Sequence, residues 1–532
     1  MKLKDSDYIY KLIKISLAVL MLVTLIILGA NMFKTKDEVK ELVFFDTGAP
    51  NSFDPLDADK FINMSRARML FATPIEVSYE NKLTSNVLSD FSYDREKLEI
   101  KFTVKDNIFY SDNTKITVDD IAFSILRMAH ARPDFPVLRK IVGIKEWLQK
   151  TDPLKSKPSG VSIEKNEIKI KLTTNTPNPL FRFSLELFSI IPKNLISPDT
   201  NKLIGVPPSS GYYKLESSDV DSITFKKIKE VERSYKIEAP RKIRFKYITV
   251  KDLSKEDFHL SNNSILTGLD VRLDLEGLSE LRNKFRFKYL PNTRFKTVLL
   301  NPNVPPFDNA VCRRHFAREL RKTYSEFQHK TYTVSASVFS KVIPGYRDDD
   351  FFEKKFQTDS LHQCDWSKFE IPWTSIKDPI ASFDNIAVFK TLMRLGFGSK
   401  ILPALDNLDQ LNDLFKSNKV AFDFFRSGFW AQDAIGDTEM IFTPNMHDAL
   451  YFVNQNLELR KSIQKLDHVN EENTDEAMAD VNLSIYEDST MIPVLHSRVF
   501  YAANNIESIN ELPQAVVHPA PWQVFNLNYD GK

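Results

Sequence analysis

Glycine is scarce in this sequence, with 14 among 532 residues, and the glycine motifs that bind phosphates are absent. The chain contains neither a GxxxxGK loop nor GxGxxG, so nucleotide chemistry is disfavoured. Charge of one sign is also lacking, because 72 Lys and Arg residues stand against 71 Asp and Glu residues. A formal net charge of +1 gives no broad basic field for a polyphosphate backbone. We therefore expect no nucleic-acid partner.

The sequence also lacks recognisable catalytic and metal-binding motifs. Its nine histidines are scattered, and neither HExxH nor GxSxG occurs. Acidic groups such as Asp119-Asp120 and Asp348 to Asp350 are interpreted as solvated helix starts and loops, because carboxylates are stabilised at helix amino termini. The sequence therefore predicts no catalytic residue, no metal site and no cofactor, and it favours a protein that is not an enzyme.

Cysteine is nearly absent as well, with Cys312 and Cys364 the two residues of this type. Two cysteines cannot form a disulfide scaffold, and their separation is not that of a zinc or redox motif. Two buried thiols and one disulfide are both compatible with the sequence. The disulfide would require export to an oxidising compartment.

What the chain does have is one long apolar run, from Ile15 to Phe33, with no charged side chain. Its length is close to the roughly 20 residues that cross a bilayer as a helix. Lysines precede the run, as a retained cytoplasmic end requires. We therefore expect an uncleaved anchor to the inner membrane with the rest of the chain outside the cytoplasm, and a cleaved signal with secretion to the periplasm is the alternative.

After a short charged linker, periodic patterns predict an α/β protein. ELVFF from Glu41 and the alternating LEIKFTV and NEIKIKLTT are typical of strands. Thr117 to Ala131 has a Thr cap, acidic residues in the first turn and apolar residues at helical spacing, so it predicts a helix. Helices are also predicted over Ala387 to Gly398 and Asp475 to Ser489, and strands at KILPAL and VAFDFF.

A series of segments, in a fixed order along the chain, carries a resemblance to a known protein family. The most specific segment is Lys97 to Arg127, in which Ser111-Asp112, Thr117 and Asp119-Asp120 are in register with the family signature. Asn113 stands where the family has glycine, and Asn tolerates the positive φ of such a turn. Further similar segments are NSFDP (51–55), MLFATPIE (69–76), SSGYYKL (209–215), ILTGLDV (265–271), LLNPNVPPFDNAVCRRHFAREL (299–320), AFDFFRSGFWAQD (421–433) and IYEDSTMIPVLHS (485–497). In this order the segments resemble those of the extracellular solute-binding proteins, family 5, which serve bacterial ABC importers of oligopeptides, dipeptides and nickel.

The resemblance implies a two-lobed periplasmic-binding-protein fold, class II of the cluster C type, with an extra inserted domain behind the predicted transmembrane helix. A cleft between the lobes would close on ligand by hinge motion. The expected divisions are a cytoplasmic tail (1–14), the anchor or signal segment (15–33), a linker (34–40), lobe I (41–60, 204–292 and 497–532), the inserted domain (61–203) and lobe II (293–496).

The resemblance further implies that the protein binds an extended peptide and delivers it to permease subunits of an ABC importer. In peptide-binding members of the family, an Asp three residues after a Trp neutralises the peptide's amino group, and Trp430 and Asp433 have that spacing. Arg426 would pair with a ligand carboxylate. The alternatives are structural, with Trp430 a core aromatic residue and Asp433 a loop cap.

Two other functions stay open. One is a membrane-tethered receptor or assembly subunit that keeps the fold without a transport ligand, which the missing glycines and the retained anchor would suit. The other is a nickel or haem binder, which the dispersed histidines disfavour.

Overall fold

The computed structural model describes residues 41–504 with interruptions. The stretches outside the described residues within that span are 47–51, 58–60, 79–81, 199, 229–239, 249–251, 253–259, 262–263, 267–283, 290–293, 328–331, 357–363, 375–378, 406–407, 430–432, 445–446, 470–471 and 498–499. The described residues contain no helix with the length and apolar character needed to span a bilayer. The run from Ile15 to Phe33 lies outside the described residues, so the anchor stays a prediction.

The strands of the described residues form five sheets. They are β1 (Glu41–Asp46), β2 (Glu76–Val77), β3 (Leu83–Thr84), β4 (Leu88–Asp94), β5 (Glu99–Val104), β6 (Val161–Glu164), β7 (Glu167–Lys171), β8 (Tyr213–Ser218), β9 (Ser222–Lys227), β10 (Lys242–Tyr247), β11 (Ser264–Leu266), β12 (Arg286–Tyr289), β13 (Arg294–Leu300), β14 (Tyr332–Val334), β15 (Glu370–Trp373), β16 (Gly398–Ile401), β17 (Phe422–Gly428), β18 (Met491–Ser497) and β19 (Phe500–Ala503).

Three of these sheets organise the molecule. Sheet 1 is mixed, has seven strands and runs in the order β12-β19-β11-β1-β10-β9-β8, with β1 parallel to both of its neighbours. Sheet 2 is antiparallel and runs β14-β18-β13-β17. Sheet 3 is antiparallel and runs β4-β5-β7-β6. The pairs β2-β3 and β15-β16 are separate two-stranded sheets.

Helices surround these sheets. They are α1 (Phe61–Leu70), α2 (Val118–Ala131), α3 (Ile144–Leu148), α4 (Pro179–Arg182), α5 (Ala310–Glu326), α6 (Asp349–Lys355), α7 (Pro379–Leu395), α8 (Leu408–Lys416), α9 (Ala434–Ile441), α10 (Leu457–Lys465) and α11 (Thr474–Asp488).

Local signals account for several of these elements. The Thr117 hydroxyl accepts a hydrogen bond from the backbone N–H of Asp120, and the Asp120 carboxylate accepts one from the backbone N–H of Thr117, a capping box that confirms the predicted start of α2. Asp348 caps α6 by accepting from the N–H of Phe351, which confirms the interpretation of that acidic run as a helix start. Asn113 has φ of 69°, as expected where it replaces a turn glycine.

Two predicted boundaries were wrong. Helix α7 begins at Pro379, eight residues before the predicted Ala387, and strand β16 ends at Ile401 rather than continuing through KILPAL. Pro403 follows closely and has no N–H for a ladder hydrogen bond, which is a physical reason for the short strand.

Each of the three large sheets has its own buried core. Sheet 1 packs Leu42, Phe44 and Phe245 against helix α1. Sheet 2 is buried on both faces, with α5 and α7 on one face and α8, α10 and α11 on the other. Sheet 3 packs Ile100 and Phe102 against α2 in a separate cluster. Burial of apolar surface in four clusters, two of them on sheet 2, therefore stabilises three bodies.

The chain crosses between sheet 1 and sheet 2 twice. It leaves sheet 1 after β12 and enters sheet 2 at β13, and it returns from β18 to β19. The segments between these strands are short, because β12 ends at Tyr289 and β13 begins at Arg294, while β18 ends at Ser497 and β19 begins at Phe500. Two short crossings between two bodies are the arrangement on which a hinge depends.

A disulfide joins Cys312 and Cys364 across 52 residues of sequence. Cys312 lies on α5, and both sulfur-bearing side chains belong to the core between sheet 2 and α5. Of the two readings that the sequence left open, the structure has the disulfide. Such a bond persists in oxidising compartments, in agreement with an exported body.

We expect that replacing both cysteines with alanine will lower the free energy of unfolding by about 2–4 kcal/mol, because the disulfide restricts the unfolded chain. Denaturant titration of the oxidised full-length chain measures this difference. Dithiothreitol should reduce the stability of the wild type to that of the double variant and leave the variant unchanged. Equal stability of the oxidised wild type and the variant would contradict the expectation.

Candidate functional site

The interface between the sheet 3 body and the sheet 2 body holds a cluster of buried charges. Helix α4 supplies Arg182 from the sheet 3 side, and α9 with the residue before it supplies Asp433 and Asp437 from the sheet 2 side. We call these three residues the Arg182 trio. Local sequence explains the placement of Arg182, because Asn178 adopts a left-handed conformation and Pro179 begins the short helix that ends at Arg182.

Arg182 bridges the two bodies through direct contacts. Its Nη2 lies 2.5 Å from Asp433 Oδ2 and donates a hydrogen bond to the Asp433 carbonyl oxygen at 3.1 Å, and its Nη1 donates to Asp437 Oδ1 at 3.2 Å. The side chains of Arg182 and Asp433 are 2% and 0% exposed. Separating the bodies would return the guanidinium and both carboxyl groups to water, whereas removing one partner of the ion pair would leave a buried charge uncompensated, which typically costs about 3–5 kcal/mol.

Gly436 makes room for the guanidinium. A Cβ at this position would lie 1.7 Å from Arg182 Nη2, a distance that real atoms do not reach. Glycine inside a helix costs about 1 kcal/mol relative to alanine, so a glycine in α9 is an unfavourable choice for the helix itself. The close approach of Arg182 gives the physical reason for its presence.

The electrostatics of the trio favour one retained proton. Burial raises the pKa of Asp433 well above its usual value, while Arg182 opposes that rise and Asp437 adds to it. Burial opposes the charge of Arg182, but the carboxylates of Asp433 and Asp437 outweigh burial and raise its pKa, so the guanidinium stays charged. One guanidinium therefore neutralises one of its two carboxylates, and burial favours a proton on the other.

A second group of charges crosses the same interface. Lys140, from the sheet 3 body, contacts Asp467 and lies with its Nζ 3.8 Å from Glu439 Oε1, which α9 supplies. Arg139 lies 3.9 Å from the same glutamate oxygen. We call Lys140, Glu439 and Asp467 the Lys140 trio.

The two acids of the Lys140 trio ionise differently. Burial raises the pKa of Glu439 to about 7, although Lys140 opposes the rise. Burial would also raise the pKa of Asp467, but hydrogen bonds from Glu439 and Lys140 lower it. The proton therefore resides on Glu439, and Asp467 is the charged partner of Lys140.

Arg426 belongs to a different cluster, on the sheet 2 face that α5 and α7 cover. Its Nη2 donates to Asp384 Oδ2 at 2.9 Å, and Lys296 Nζ lies 2.5 Å from the same oxygen. Tyr324 donates its hydroxyl to Asp384 Oδ1 at 2.5 Å. Burial alone would raise the pKa of Asp384, but Lys296 and Arg426 outweigh burial and lower it. Asp384 is fully buried, whereas the Arg426 side chain is 30% exposed.

The three residues predicted for ligand binding have different surroundings. Asp433 is buried at the interface and occupies the position before α9, and Arg426 is bound to Asp384. Trp430 lies outside the described residues. Sequence reasoning missed Arg182, Glu439 and Lys140, and nothing in their local sequence distinguishes them from other charged residues. Asp437 carried a signal, because a carboxylate four residues after Asp433 on a helix lies on the same face. Among the described residues, no group of three or more His, Cys, Asp and Glu side chains could hold a metal ion.

The sheet order, the two crossings and the buried interface define a two-lobed α/β solute-binding protein fold. The chain also matches the family model of bacterial extracellular solute-binding proteins, family 5 Middle, over residues 82–351. The chain belongs to this family, as its sequence segments predicted, and family membership makes it a solute-binding protein of the class that serves ABC importers. Comparison with curated protein sequences gives no match.

Solved structures share the fold at low sequence identity. NikA from Brucella suis in complex with Fe(III)-EDTA has a TM-score of 0.71 at 12% identity, over 91% of this chain and 99% of that chain. DppA from Helicobacter pylori in complex with peptide STSA has a TM-score of 0.70 at 13% identity, over 92% and 99%. Haemophilus influenzae OppA in complex with RPPGFSPFR has a TM-score of 0.69 at 14% identity, over 93% and 99%. At these identities the likeness establishes the fold.

The raised pKa of Glu439 predicts a pH dependence of stability. Because its folded pKa of about 7 exceeds the unfolded value, the folded chain binds an extra proton between the two values, and stability falls as pH rises through about 7. We expect Glu439→Gln to remove about 1–3 kcal/mol of this fall between about pH 5 and pH 8. Denaturant titrations of both proteins across that range measure it. Parallel pH profiles would show that Glu439 ionises normally in the folded chain.

Proposed function

We propose that this protein is the substrate-binding component of an ABC-type peptide importer and that it binds an extended peptide between its lobes, outside the cytoplasm. The observation that carries the proposal is the position of Asp433. Its carboxylate is buried at the interface between the sheet 2 and sheet 3 bodies and contacts a cation, Arg182, from the opposite side. A free peptide carries such a cation at its amino terminus. Family membership supports the importer role.

Peptide binding would use the hinge and the buried charges together. An extended peptide is held by main-chain hydrogen bonds, which give affinity independent of its sequence. Closure around the two crossings then removes the peptide's ammonium from water, and a buried ammonium is tolerated when a carboxylate pairs with it. Asp433 is our candidate for that carboxylate. Arg426, fixed by Asp384 and partly exposed, is our candidate for a ligand carboxylate.

The division into lobes is part of the same proposal. We assign 41–60, 204–292 and 497–532 to lobe I, 293–496 to lobe II and 61–203 to an inserted domain. Sheet 1 falls within lobe I, sheet 3 falls within the inserted domain, and sheet 2 falls within lobe II except for Ser497, the last residue of β18. Helix α1 lies within the range of the inserted domain, but its buried residues belong to the core of sheet 1.

A membrane-tethered receptor or assembly subunit without a transport ligand is the second candidate. The contact between Arg182 and Asp433 favours it, because this carboxylate already has a cation from the chain itself. The two functions differ in what the purified protein carries. Denaturation of protein purified without added ligand, followed by mass spectrometry, should release a mixture of short peptides from an importer subunit and none from a ligandless receptor.

We predict that Asp433→Asn will weaken binding of trialanine by about 30-fold or more, because a buried ammonium loses its counter-charge at a cost of about 2–5 kcal/mol. Isothermal calorimetry with trialanine measures the effect. Amino-acetylated trialanine is the control, since it lacks the ammonium and should bind wild type and variant with similar, low affinity. Equal affinity of the two proteins for free trialanine would remove Asp433 from the site.

We also propose that Ile15 to Phe33 anchors the protein on the periplasmic side of the inner membrane. A tether would keep the binding protein near its permease and raise its local concentration there. The mature protein should therefore sediment with membranes and be released by detergent, with its amino terminus intact. A soluble periplasmic form with a new amino terminus near Asn31 would identify the segment as a cleaved signal.

A further inference from the structure

The Arg182 trio joins two bodies with distinct apolar clusters, and Met440 of α9 packs against the sheet 3 cluster beside it. Arg182 follows Phe181 in the sheet 3 body, and the residue after it, Phe183, lies in the sheet 3 core. Ala434, next to Asp433, lies in a core of sheet 2. The contacts of Arg182 with Asp433 and Asp437 are therefore contacts between bodies, and they can form only when the interface is closed.

The described structure closes this interface with the chain's own side chains. Arg182 places a positive charge against the carboxylate that we assign to a peptide's amino group, and both groups are withdrawn from water. A closed state of this kind needs no ligand cation, because the guanidinium supplies the counter-charge.

Asp437 gives Arg182 a second partner. It lies one helical turn beyond Asp433, and the guanidinium already bonds to it at 3.2 Å. If Arg182 turned fully to Asp437, Asp433 could pair with another cation, and two cations would then face two carboxylates. The trio can therefore exchange one internal contact for one ligand contact without leaving Arg182 as an unpaired buried charge.

We propose that Arg182 is an internal competitor for Asp433. It holds the inserted domain (61–203) against lobe II in the ligand-free protein, and it turns to Asp437 when a cationic ligand group enters. This inference rests on the proposed peptide-binding function. It makes Arg182 a determinant of ligand selection, because a ligand binds only if its cation replaces the guanidinium at Asp433. Gly436 is part of the device, because any side chain there would displace the guanidinium.

Two variants remove the competitor in different ways. The double variant Arg182→Met, Asp437→Asn deletes one charge of each sign and leaves Asp433 as the carboxylate available to a ligand. Gly436→Ala keeps every charge and favours the helix, but its Cβ displaces the guanidinium. Arg347→Met is the matched control, since Arg347 pairs with Asp475 within the sheet 2 body. Circular dichroism checks that each variant folds.

Small-angle scattering of the ligand-free full-length proteins tests whether the contact between Arg182 and Asp433 keeps the interface closed. We expect a larger radius of gyration for the double variant and for Gly436→Ala than for wild type and Arg347→Met. An unchanged radius in both test variants would overturn the proposal. If the double variant does not fold, the radius of gyration of Gly436→Ala alone decides the scattering test.

Calorimetry measures the affinity for trialanine and so tests whether Arg182 competes with the ligand for Asp433. We expect the double variant to bind trialanine about tenfold or more tightly than wild type, because no internal contact has to be broken first. Weaker binding by the double variant would overturn the role of Arg182 as competitor. If no protein in the series binds trialanine, the peptide-binding function fails, while the scattering result still decides whether Arg182 holds the inserted domain against lobe II.

Discussion

The contact between Arg182 and Asp433 is the constraint that fixes the position of the sheet 3 body relative to the sheet 2 body. Each sheet forms a stable body through its own apolar core, so the position of one body relative to another must be fixed by what crosses the interface. A buried charge at the interface must be paired, because an unpaired buried charge destabilises the folded protein whereas a paired one is tolerated. The Arg182 and Lys140 trios thus make closure sensitive to single charges.

Features with local causes could be predicted from the sequence. The cap of α2 at Thr117 was predictable because its capping partner is three residues away, and strand β5 was predictable because its alternate residues Ile100, Phe102 and Val104 face one core. The start of α7 was not predictable, because Asp384 interrupts the apolar period. Asp384 is accommodated in the interior by Lys296 and Arg426, which come from distant strands.

The candidate site was only partly predictable for the same reason. Asp433 was recognised through its spacing from Trp430, but its contact with Arg182 joins residues 251 positions apart. No pattern in a single sequence reveals which of 72 basic residues meets a given carboxylate. The disulfide likewise required the fold, since the spacing of Cys312 and Cys364 is compatible with separate thiols.

The strand order of sheet 1 has a consequence for the order in which the protein is built. β19, one of the last described elements in the chain, lies between β11 and β12 and pairs with both, while β1, the first strand, lies near the centre. Synthesis and export proceed from the amino terminus, so sheet 1, which contains β1, cannot be completed until the chain has been made as far as residue 503. Sheet 3 has all its strands by Lys171 and can form while sheet 1 still exposes an open edge, whereas sheet 2 also needs a late strand, β18, which ends at Ser497.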